Sequence, residues 1–263
     1  MIAKCVFEAL GAKVSLINAE PNGLNINREA GSTHIENLCN FVRQNGLELG
    51  FAFDGDADRC IAVDENGNEV NGDHILYILG TDLKKKGQLV NNTVVTTIMS
   101  NIGLYKALEK DGIDYVQTTV GDRFIYENMV QTGNCIGGEQ SGHVILSKYA
   151  TTGDGILTAI KIMEVVIASK LPLSKLAAPV KMFPQVLRNI RVENKAAVRE
   201  NADVQALKSE IEKKLGKNGR ILLRESGTEP VVRVMVEGPS RNVCEEYADQ
   251  MIAKIREKGL AED

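Results

Sequence analysis

The segment FAFDGDADR, residues 51–59, constrains the fold of this chain more than any other, because an apolar run gives way to carboxylates at every second position. The apolar part predicts a strand of the core. An extended backbone would keep Asp54, Asp56 and Asp58 apart, so we expect the small residues between them to form a tight loop that brings the carboxylates together. The sequence therefore predicts a cation site at the end of this strand.

The residue types in this loop favour Mg²⁺. Carboxylate oxygens are hard ligands that suit Mg²⁺ or a similar ion, whereas zinc sites are built mainly from His and Cys, and neither occurs between the aspartates. Arg59 follows the last aspartate and is predicted to contact an anion held by the same metal.

A calcium-binding EF-hand loop is a competing interpretation, since Glu65 stands at the twelfth position counted from Asp54. Two features oppose it. Arg59 occupies the position that requires glycine, and residues 60–63 continue as an apolar strand instead of lying between two helices. A solvated acidic turn is the other alternative, but it leaves the bunching of three carboxylates after a buried strand unexplained.

Composition limits the classes of protein and of partner. With 263 residues, 43% hydrophobic and 25% charged, the chain fits a soluble globular protein of one to about three domains. Its net charge of −4 argues against nucleic acid and anionic membranes as partners and favours a small molecule, and the sequence leaves a homo-oligomer open. No apolar run approaches the roughly 20 residues of a membrane span. Five scattered cysteines without a CxxC pair predict neither disulfides nor a zinc site and favour the cytoplasm.

Helix and strand patterns alternate along the chain, which predicts an α/β fold. The first domain is expected to span residues 1–68. Its helix pattern at the start is followed by a predicted strand over residues 13–17 and by a helix with a Thr33–Glu36 capping box. The dipeptide Asn66-Gly67 predicts a hairpin turn after the acidic loop.

The second domain, residues 69–180, repeats the α/β pattern and is predicted to contain a parallel sheet, with His74 on a helix surface. A proline-rich stretch then marks a boundary. Residues 181–263 show the order strand, helix, strand, strand, helix. The predicted fold class is therefore α/β: two successive α/β domains followed by a smaller α+β domain of βαββα type.

A second loop with ligand-binding character is GGEQSGH, residues 137–143. It presents Glu139, Ser141 and His143 at alternate positions after two glycines, which suits hydrogen bonding to hydroxyls or an amine. A glycine-rich turn with exposed polar residues explains the same pattern.

A third loop, RESGTEP at residues 224–230, lies between two predicted strands. Its arginine, two hydroxyls and backbone N–H groups suit a phosphate dianion, although an ordinary polar turn is the alternative. Arg233, on the next strand, is assigned to the strand surface. In VGDR, residues 120–123, Arg123 is either a cation near an anionic ligand or part of a helix start with Asp122 in its first turn.

The loops DGDADR, GGEQSGH and RESGTEP, in this order, resemble the metal, sugar-recognition and phosphate-binding loops of the second, third and fourth domains of the α-D-phosphohexomutase superfamily. The likeness extends over essentially the whole chain. It is greatest to the members that act on hexosamine phosphates, through the segments EPNGLNIN, GSTHIENL, VTTIMSNIGL, TTVGDRFIYENM and TTGDGILT. The resemblance implies an isomerase that interconverts a hexosamine 6-phosphate and 1-phosphate by Mg²⁺-dependent phosphoryl transfer through a phosphoserine.

The resemblance also implies a role for each matching residue. The implied metal ligands are Asp54, Asp56 and Asp58, and the implied catalytic cation is Arg59. The implied substrate-binding residues are Glu139, Ser141, Arg224, Ser226, Gly227 and Thr228, with Arg123 and His143 as further candidates.

In one respect the chain departs from the family. The family's serine loop, of the form T-A-S-H-N-P, occurs nowhere in the sequence, and GSTH at residues 31–34 is not followed by Asn-Pro. The resemblance therefore predicts a fragment that lacks the serine-bearing first domain and the opening strand of the second, and that is inactive alone. The alternatives are a fragment of a phosphomannomutase or phosphoglucomutase, and a standalone sugar-phosphate-binding module.

Overall fold

The computed structural model describes residues 2–227 and 229–262. Its contacts divide the chain into two compact units, Met1–Lys181 and Met182–Asp263, called unit 1 and unit 2 below. Among the helices of the described residues, none is long and apolar enough to cross a membrane. The predicted domain boundary near residue 68 stays a prediction.

The first sheet of unit 1 is antiparallel and carries the acidic loop. Its strands lie in the order β1 (Leu49–Phe53), β2 (Cys60–Asp64) and β3 (Glu69–Val70). The register pairs Phe53 with Cys60, so residues 54–59 connect the two strands. Gly67 adopts a φ of 75° in the turn between β2 and β3, which confirms the predicted hairpin.

Two helices accompany this sheet, α1 (Ile2–Ala9) and α2 (Glu36–Asn45). The capping-box prediction is wrong, because Ile35 takes the N-cap position with helical dihedrals and α2 starts without a side-chain cap. Thr33 lies two residues before this N-cap position and therefore does not cap α2. The strand predicted over residues 13–17 is also not observed. Val14 packs among apolar residues near Phe7, whereas Leu16 is exposed, so only part of this apolar segment is covered.

The second sheet of unit 1 has the order β5-β4-β6-β7, and β4 is parallel to both of its neighbours, as predicted. Only β7 runs antiparallel, against β6. The elements in chain order are α3 (Gly72–Lys85), β4 (Thr93–Thr97), α4 (Ile102–Lys110), β5 (Asp114–Thr118), α5 (Asp122–Thr132), β6 (Ile136–Gly138), β7 (Val144–Leu146), α6 (Gly155–Ser169) and α7 (Leu173–Ala177).

Helix α3 is the central helix of this region, and residues 72–80 along it are all buried. It packs against α4, α6 and α7 as well as against β6. His74 is therefore buried and not on a helix surface, and its Nδ1 lies 2.8 Å from Oδ1 of Asn71. Sequence reasoning missed this because both faces of the first turn of α3 are covered by elements distant in the chain.

Unit 2 has the predicted βαββα order with one additional short helix. Its elements are β8 (Gln185–Arg191), α8 (Lys195–Glu200), α9 (Ala202–Leu215), β9 (Arg220–Glu225), β10 (Val231–Glu237) and α10 (Arg241–Glu257). The antiparallel sheet has the order β8-β10-β9. A core of its own lies between this sheet and the helices, with Val204 and Ile211 of α9 and Met251 of α10 among its buried members.

Candidate functional site

The acidic loop between β1 and β2 brings its three aspartates together. One carboxylate oxygen from each of Asp54, Asp56 and Asp58 lies within 4.8 Å of the others. The chain turns at Ala57, whose φ of 61° is left-handed, and the Ala57 N–H donates to the Asp54 carbonyl at 3.2 Å. A non-glycine residue in this conformation is uncommon, and it folds the backbone back so that the carboxylates converge.

Three carboxylates lie close together in this loop, and this concentration of negative charge favours a bound cation. Burial raises the pKa of the Asp54 carboxyl above its ordinary value, the backbone N–H of Arg59 lowers it, and the carboxylates of Asp58 and Asp56 raise it. A divalent cation would remove the repulsion among the three side chains. Because all donors are carboxylate oxygens, the residues fit Mg²⁺ or a similar hard ion.

Arg59 lies at the edge of the acidic loop. Its Nε is 3.6 Å from Oδ2 of Asp54, which is an ion-pair distance but too long for a hydrogen bond. This Nε is buried and has no hydrogen-bond partner among the described residues, while the side chain as a whole is 41% exposed. The guanidinium is therefore placed to take an anionic partner next to the three aspartates.

The GGEQSGH loop lies directly against the acidic loop. Arg59 and His143 form an antiparallel bridge, and the Cys60 N–H donates to the Gly142 carbonyl at 3.1 Å. Gly142 has a φ of 91°, and a Cβ there would lie 2.3 Å from the Cys60 carbonyl oxygen. Only glycine permits this approach, so the two loops form one structure.

His143 faces this junction with a buried ring. Its Nδ1 is 2.9 Å from Oδ2 of Asp58, and its Nε2 accepts a hydrogen bond from the Gly153 N–H at 3.0 Å. Because the Gly153 N–H can only donate, the ring proton is on Nδ1 and is donated to Asp58. The structure thus places His143 against a predicted metal ligand, with both ring nitrogens engaged within the protein.

The two predicted sugar-recognition residues differ in their surroundings. Glu139 accepts a hydrogen bond through Oε1 from the Gly121 N–H at 3.1 Å, which joins this loop to the VGDR segment. The hydroxyl of Ser141 is buried without a hydrogen-bond partner among the described residues. A buried hydroxyl in this state is a natural position for a polar ligand group.

The structure does not bring Arg123 into this cluster. Its side chain is 79% exposed on the first turn of α5, and its Nε lies 2.7 Å from Oε1 of Glu127 on the same helix. Asp122 is the acidic residue of that first turn, which agrees with the helix-start interpretation of VGDR.

In unit 2, the RESGTEP loop joins β9 to β10. Ser226 is 3% exposed, its N–H donates to the Val231 carbonyl, and its hydroxyl accepts from the Glu229 N–H at 3.2 Å. Thr228 lies outside the described residues, so its predicted role stays a prediction. The space where a Cβ of Gly227 would lie is open to at least 4 Å.

Two arginines flank this loop on neighbouring strands. Arg224 of β9 and Arg233 of β10 are paired directly in the register, so their side chains share one face of the sheet. The Arg233 side chain is only 29% exposed and reaches Glu229 of the loop, with Nη2 to Oε2 at 3.0 Å. Arg233 therefore lies beside the loop and not simply on an open strand surface.

Sequence reasoning missed Lys195. Its Nζ donates to the carbonyl of Ser226 at 2.6 Å and lies 3.4 Å from the carbonyl of Glu229. A lysine at the start of a short helix carries no local signal of such a contact, because its partners lie more than 30 residues away.

Comparison with known proteins places these loops in one family. Residues 1–67, 71–183 and 187–254 match the descriptions phosphoglucomutase/phosphomannomutase alpha/beta/alpha domain II, alpha/beta/alpha domain III and C-terminal domain, respectively. The chain belongs to the phosphoglucomutase/phosphomannomutase family. The chain is 59% identical over 260 residues to a phosphoglucosamine mutase of Lachnospira eligens; the match covers 99% of the chain and 58% of the length of that relative.

Solved structures show the same fold. A phosphoglucomutase/phosphomannomutase family protein of Burkholderia thailandensis superimposes with a TM-score of 0.79 at 22% identity, and the match covers 97% of the present chain and 57% of that protein. An N-acetylphosphoglucosamine mutase of Aspergillus fumigatus, in complex with GlcNAc-6P and magnesium, gives 0.70 at 19% identity, covering 88% and 53%. The family predicted from the three loops and the α/β fold class predicted from the alternating helix and strand patterns are both confirmed.

Proposed function

We propose that this chain is the portion of a phosphoglucosamine mutase that holds Mg²⁺ and the sugar phosphate during interconversion of glucosamine 6-phosphate and glucosamine 1-phosphate. The observation that carries the proposal is the convergence of Asp54, Asp56 and Asp58 beside the Nε of Arg59, which has no hydrogen-bond partner among the described residues. Identity of 59% to a phosphoglucosamine mutase supports the choice of sugar over mannose or glucose phosphates.

The roles of the residues follow from their chemistry. Asp54, Asp56 and Asp58 hold Mg²⁺, which when bound offsets the negative charge of a phosphoryl group in transfer. Arg59 contacts the same phosphoryl group, where a fixed cation stabilises developing charge without reorganisation. His143 holds Asp58 in position through its Nδ1–H.

The sugar and its second phosphate are held by the two other loops. Glu139 and Ser141 accept or donate hydrogen bonds to the sugar, and Ser141 already offers a buried hydroxyl that needs a partner. The RESGTEP loop grips the phosphate that does not react. Binding at this remote group orients the sugar and lowers the entropic cost of the chemical step. The residues of the RESGTEP loop that we assign to phosphate binding are Arg224, Ser226, Gly227 and Thr228.

A phosphoryl carrier must complete the reaction, and the family's serine loop does not occur among the 263 residues. We therefore expect the chain alone to bind but not to turn over. Its five cysteines are free thiols, which supports a cytoplasmic location.

Reconstitution tests the proposal. The chain is joined to, or mixed with, the serine-bearing first domain of its Lachnospira eligens relative, and formation of glucosamine 1-phosphate from glucosamine 6-phosphate is followed with and without Mg²⁺. We expect Mg²⁺-dependent conversion by the combination and none by the chain alone. Preferred conversion of mannose or glucose phosphates would reassign the substrate. Sugar-phosphate binding without conversion in any combination would favour a standalone binding module.

A further inference from the structure

The phosphate-binding loop of unit 2 is held from one side by Lys195, and the inference drawn from this contact rests on the proposed function of that loop. Lys195 is the first residue of α8, whose N-cap Asn194 accepts a hydrogen bond from the Ala197 N–H at 3.1 Å. A lysine usually keeps its ammonium in water. Here Nζ is 2.6 Å from the carbonyl oxygen of Ser226 and 3.4 Å from that of Glu229, a charge-assisted contact on both sides of the loop tip.

This contact fixes the direction of one backbone N–H group. The peptide bond between Ser226 and Gly227 is trans, so its carbonyl and its N–H point in opposite directions. Because the Ser226 carbonyl points at Lys195, the Gly227 N–H points away from Lys195. It lies on the side of the loop where an anion would approach without meeting the ammonium.

Sterics do not hold this peptide in place. Glycine permits several orientations at low cost, and apart from its two chain neighbours no atom of the described residues lies within 4 Å of the position that a Cβ of Gly227 would occupy. The ends of the loop are fixed by other contacts: Arg199 of α8 reaches Glu225 at 2.8 Å, and the Val192 N–H donates to the Pro230 carbonyl at 2.9 Å. Among the described residues, Lys195 is the group that contacts the Ser226 carbonyl, so it is the contact that orients the central peptide.

We propose that Lys195 is a positioning residue of the phosphate site: it holds the Ser226 carbonyl so that the Gly227 N–H is presented to the phosphate group of the sugar. It touches the backbone of the loop and not the ligand. A neutral side chain of similar length at this position leaves the peptide free to turn its carbonyl toward the anion, which repels it.

The test compares Lys195→Met with Lys208→Met in the full chain. Both variants remove one positive charge from unit 2, but Lys208 pairs with Glu212 of the same helix, α9. Affinities for inorganic phosphate and glucosamine 6-phosphate are measured by calorimetry, and the Gly227 amide is followed by ¹⁵N–¹H NMR in the unliganded protein. We expect Lys195→Met to shift the Gly227 signal and to weaken both affinities about tenfold, with Lys195→Arg recovering part of the loss. Lys208→Met should keep the wild-type affinities and the wild-type Gly227 signal.

Two results would overturn the inference, and they are distinguishable. If the wild type binds phosphate and Lys195→Met binds equally well with an unmoved Gly227 signal, the positioning role is wrong while the proposed function stands. If the wild-type chain binds neither phosphate nor glucosamine 6-phosphate, the proposed phosphate site fails, and the role of Lys195 fails with it.

Discussion

At the residue scale, the properties of the acidic loop come from three like charges held close together by a turn at Ala57. Asp56 is the exposed member of the three, and Asp58 is held by the ring of His143. Removing one carboxylate takes away a metal ligand but leaves the apolar core around β1 and β2 unchanged. Metal affinity and stability of the fold are therefore separable at this site.

The first prediction uses Asp56→Ala. Without metal, the unfolding free energy of the variant should stay within about 0.5 kcal/mol of the wild type, because an exposed loop side chain is lost. The wild-type chain should gain about 2.7 kcal/mol at Mg²⁺ concentrations 100 times its Kd, and the variant should gain little. Denaturation with and without MgCl₂ measures both values. Glu48→Ala, an exposed acidic residue before β1, is the control; an unchanged Mg²⁺ gain in Asp56→Ala would contradict the metal-site assignment.

The second prediction concerns acid stability and His74. Burial lowers the pKa of this imidazole from 6.5 to about 4, partly opposed by a hydrogen bond with the backbone of Val180 and by Asp64. The folded state therefore binds fewer protons than the unfolded state between these values. The stability that neutral His74 permits is complete above pH 6.5 and is lost as the pH falls toward 4, by about 3 kcal/mol in total.

Replacing His74 by Gln removes this titration. Urea denaturation at pH 7 and pH 4.5 should show a smaller loss of stability for His74→Gln than for the wild type, even if the variant is less stable at pH 7. Equal losses in the two proteins would show that His74 does not carry the pH dependence.

At the scale of elements, two loops far apart in sequence are joined because glycines allow their backbones to touch. The bridge between Arg59 and His143 places the acidic loop against the GGEQSGH loop. Gly142 is the closest point, since a Cβ there would overlap the Cys60 carbonyl. The geometry of the three aspartates thus depends on a glycine that lies outside the acidic loop.

The third prediction compares Gly142→Ala with Gly133→Ala. Both glycines have left-handed φ values, 91° and 76°, but only Gly142 has a backbone atom in the position of the new methyl group. Gly133→Ala should cost about 1 kcal/mol from the unfavourable φ alone, whereas Gly142→Ala should cost about 3 kcal/mol because the β bridge must also move. Urea denaturation measures the difference, and equal costs would mean that the contact between the loops contributes nothing to stability.

At the scale of the whole molecule, each of the two units has hydrophobic core clusters built from its own residues. The core of unit 2 contains only residues from Val186 to Ala261, and those of unit 1 contain only residues up to Val180. A unit with its own core satisfies the main condition for independent folding.

The fourth prediction is that residues 182–263 fold alone. Expressed as a separate fragment, they should show a cooperative thermal transition and dispersed NMR signals, because their buried apolar side chains form a core within the unit. Residues 1–181 serve as the companion fragment. A gradual transition of residues 182–263 without dispersed signals would show that the unit depends on the rest of the chain.

Much of the fold could be predicted from local patterns, because helices and strands impose their periods on the sequence of each segment. The periodic apolar faces of α9 and α10 and the run of β1 into the aspartates are examples. The predictions that failed depended on partners elsewhere in the chain. His74 is buried by helices that follow it in sequence, and residues 13–17 have strand character but join no strand ladder among the described residues.

The difference between local patterns and contacts with distant segments also applies to the candidate site. The sequence by itself determined which groups are available: three carboxylates with an arginine, a Glu-Ser-His loop and a phosphate-type loop, in an order specific enough to identify the family. Only the tertiary structure decided that His143 faces Asp58, 85 positions away in sequence, and that Lys195 holds the Ser226 carbonyl. Contacts between distant segments leave no periodic signal in either segment, because they are set by how the loops pack once the sheets have formed.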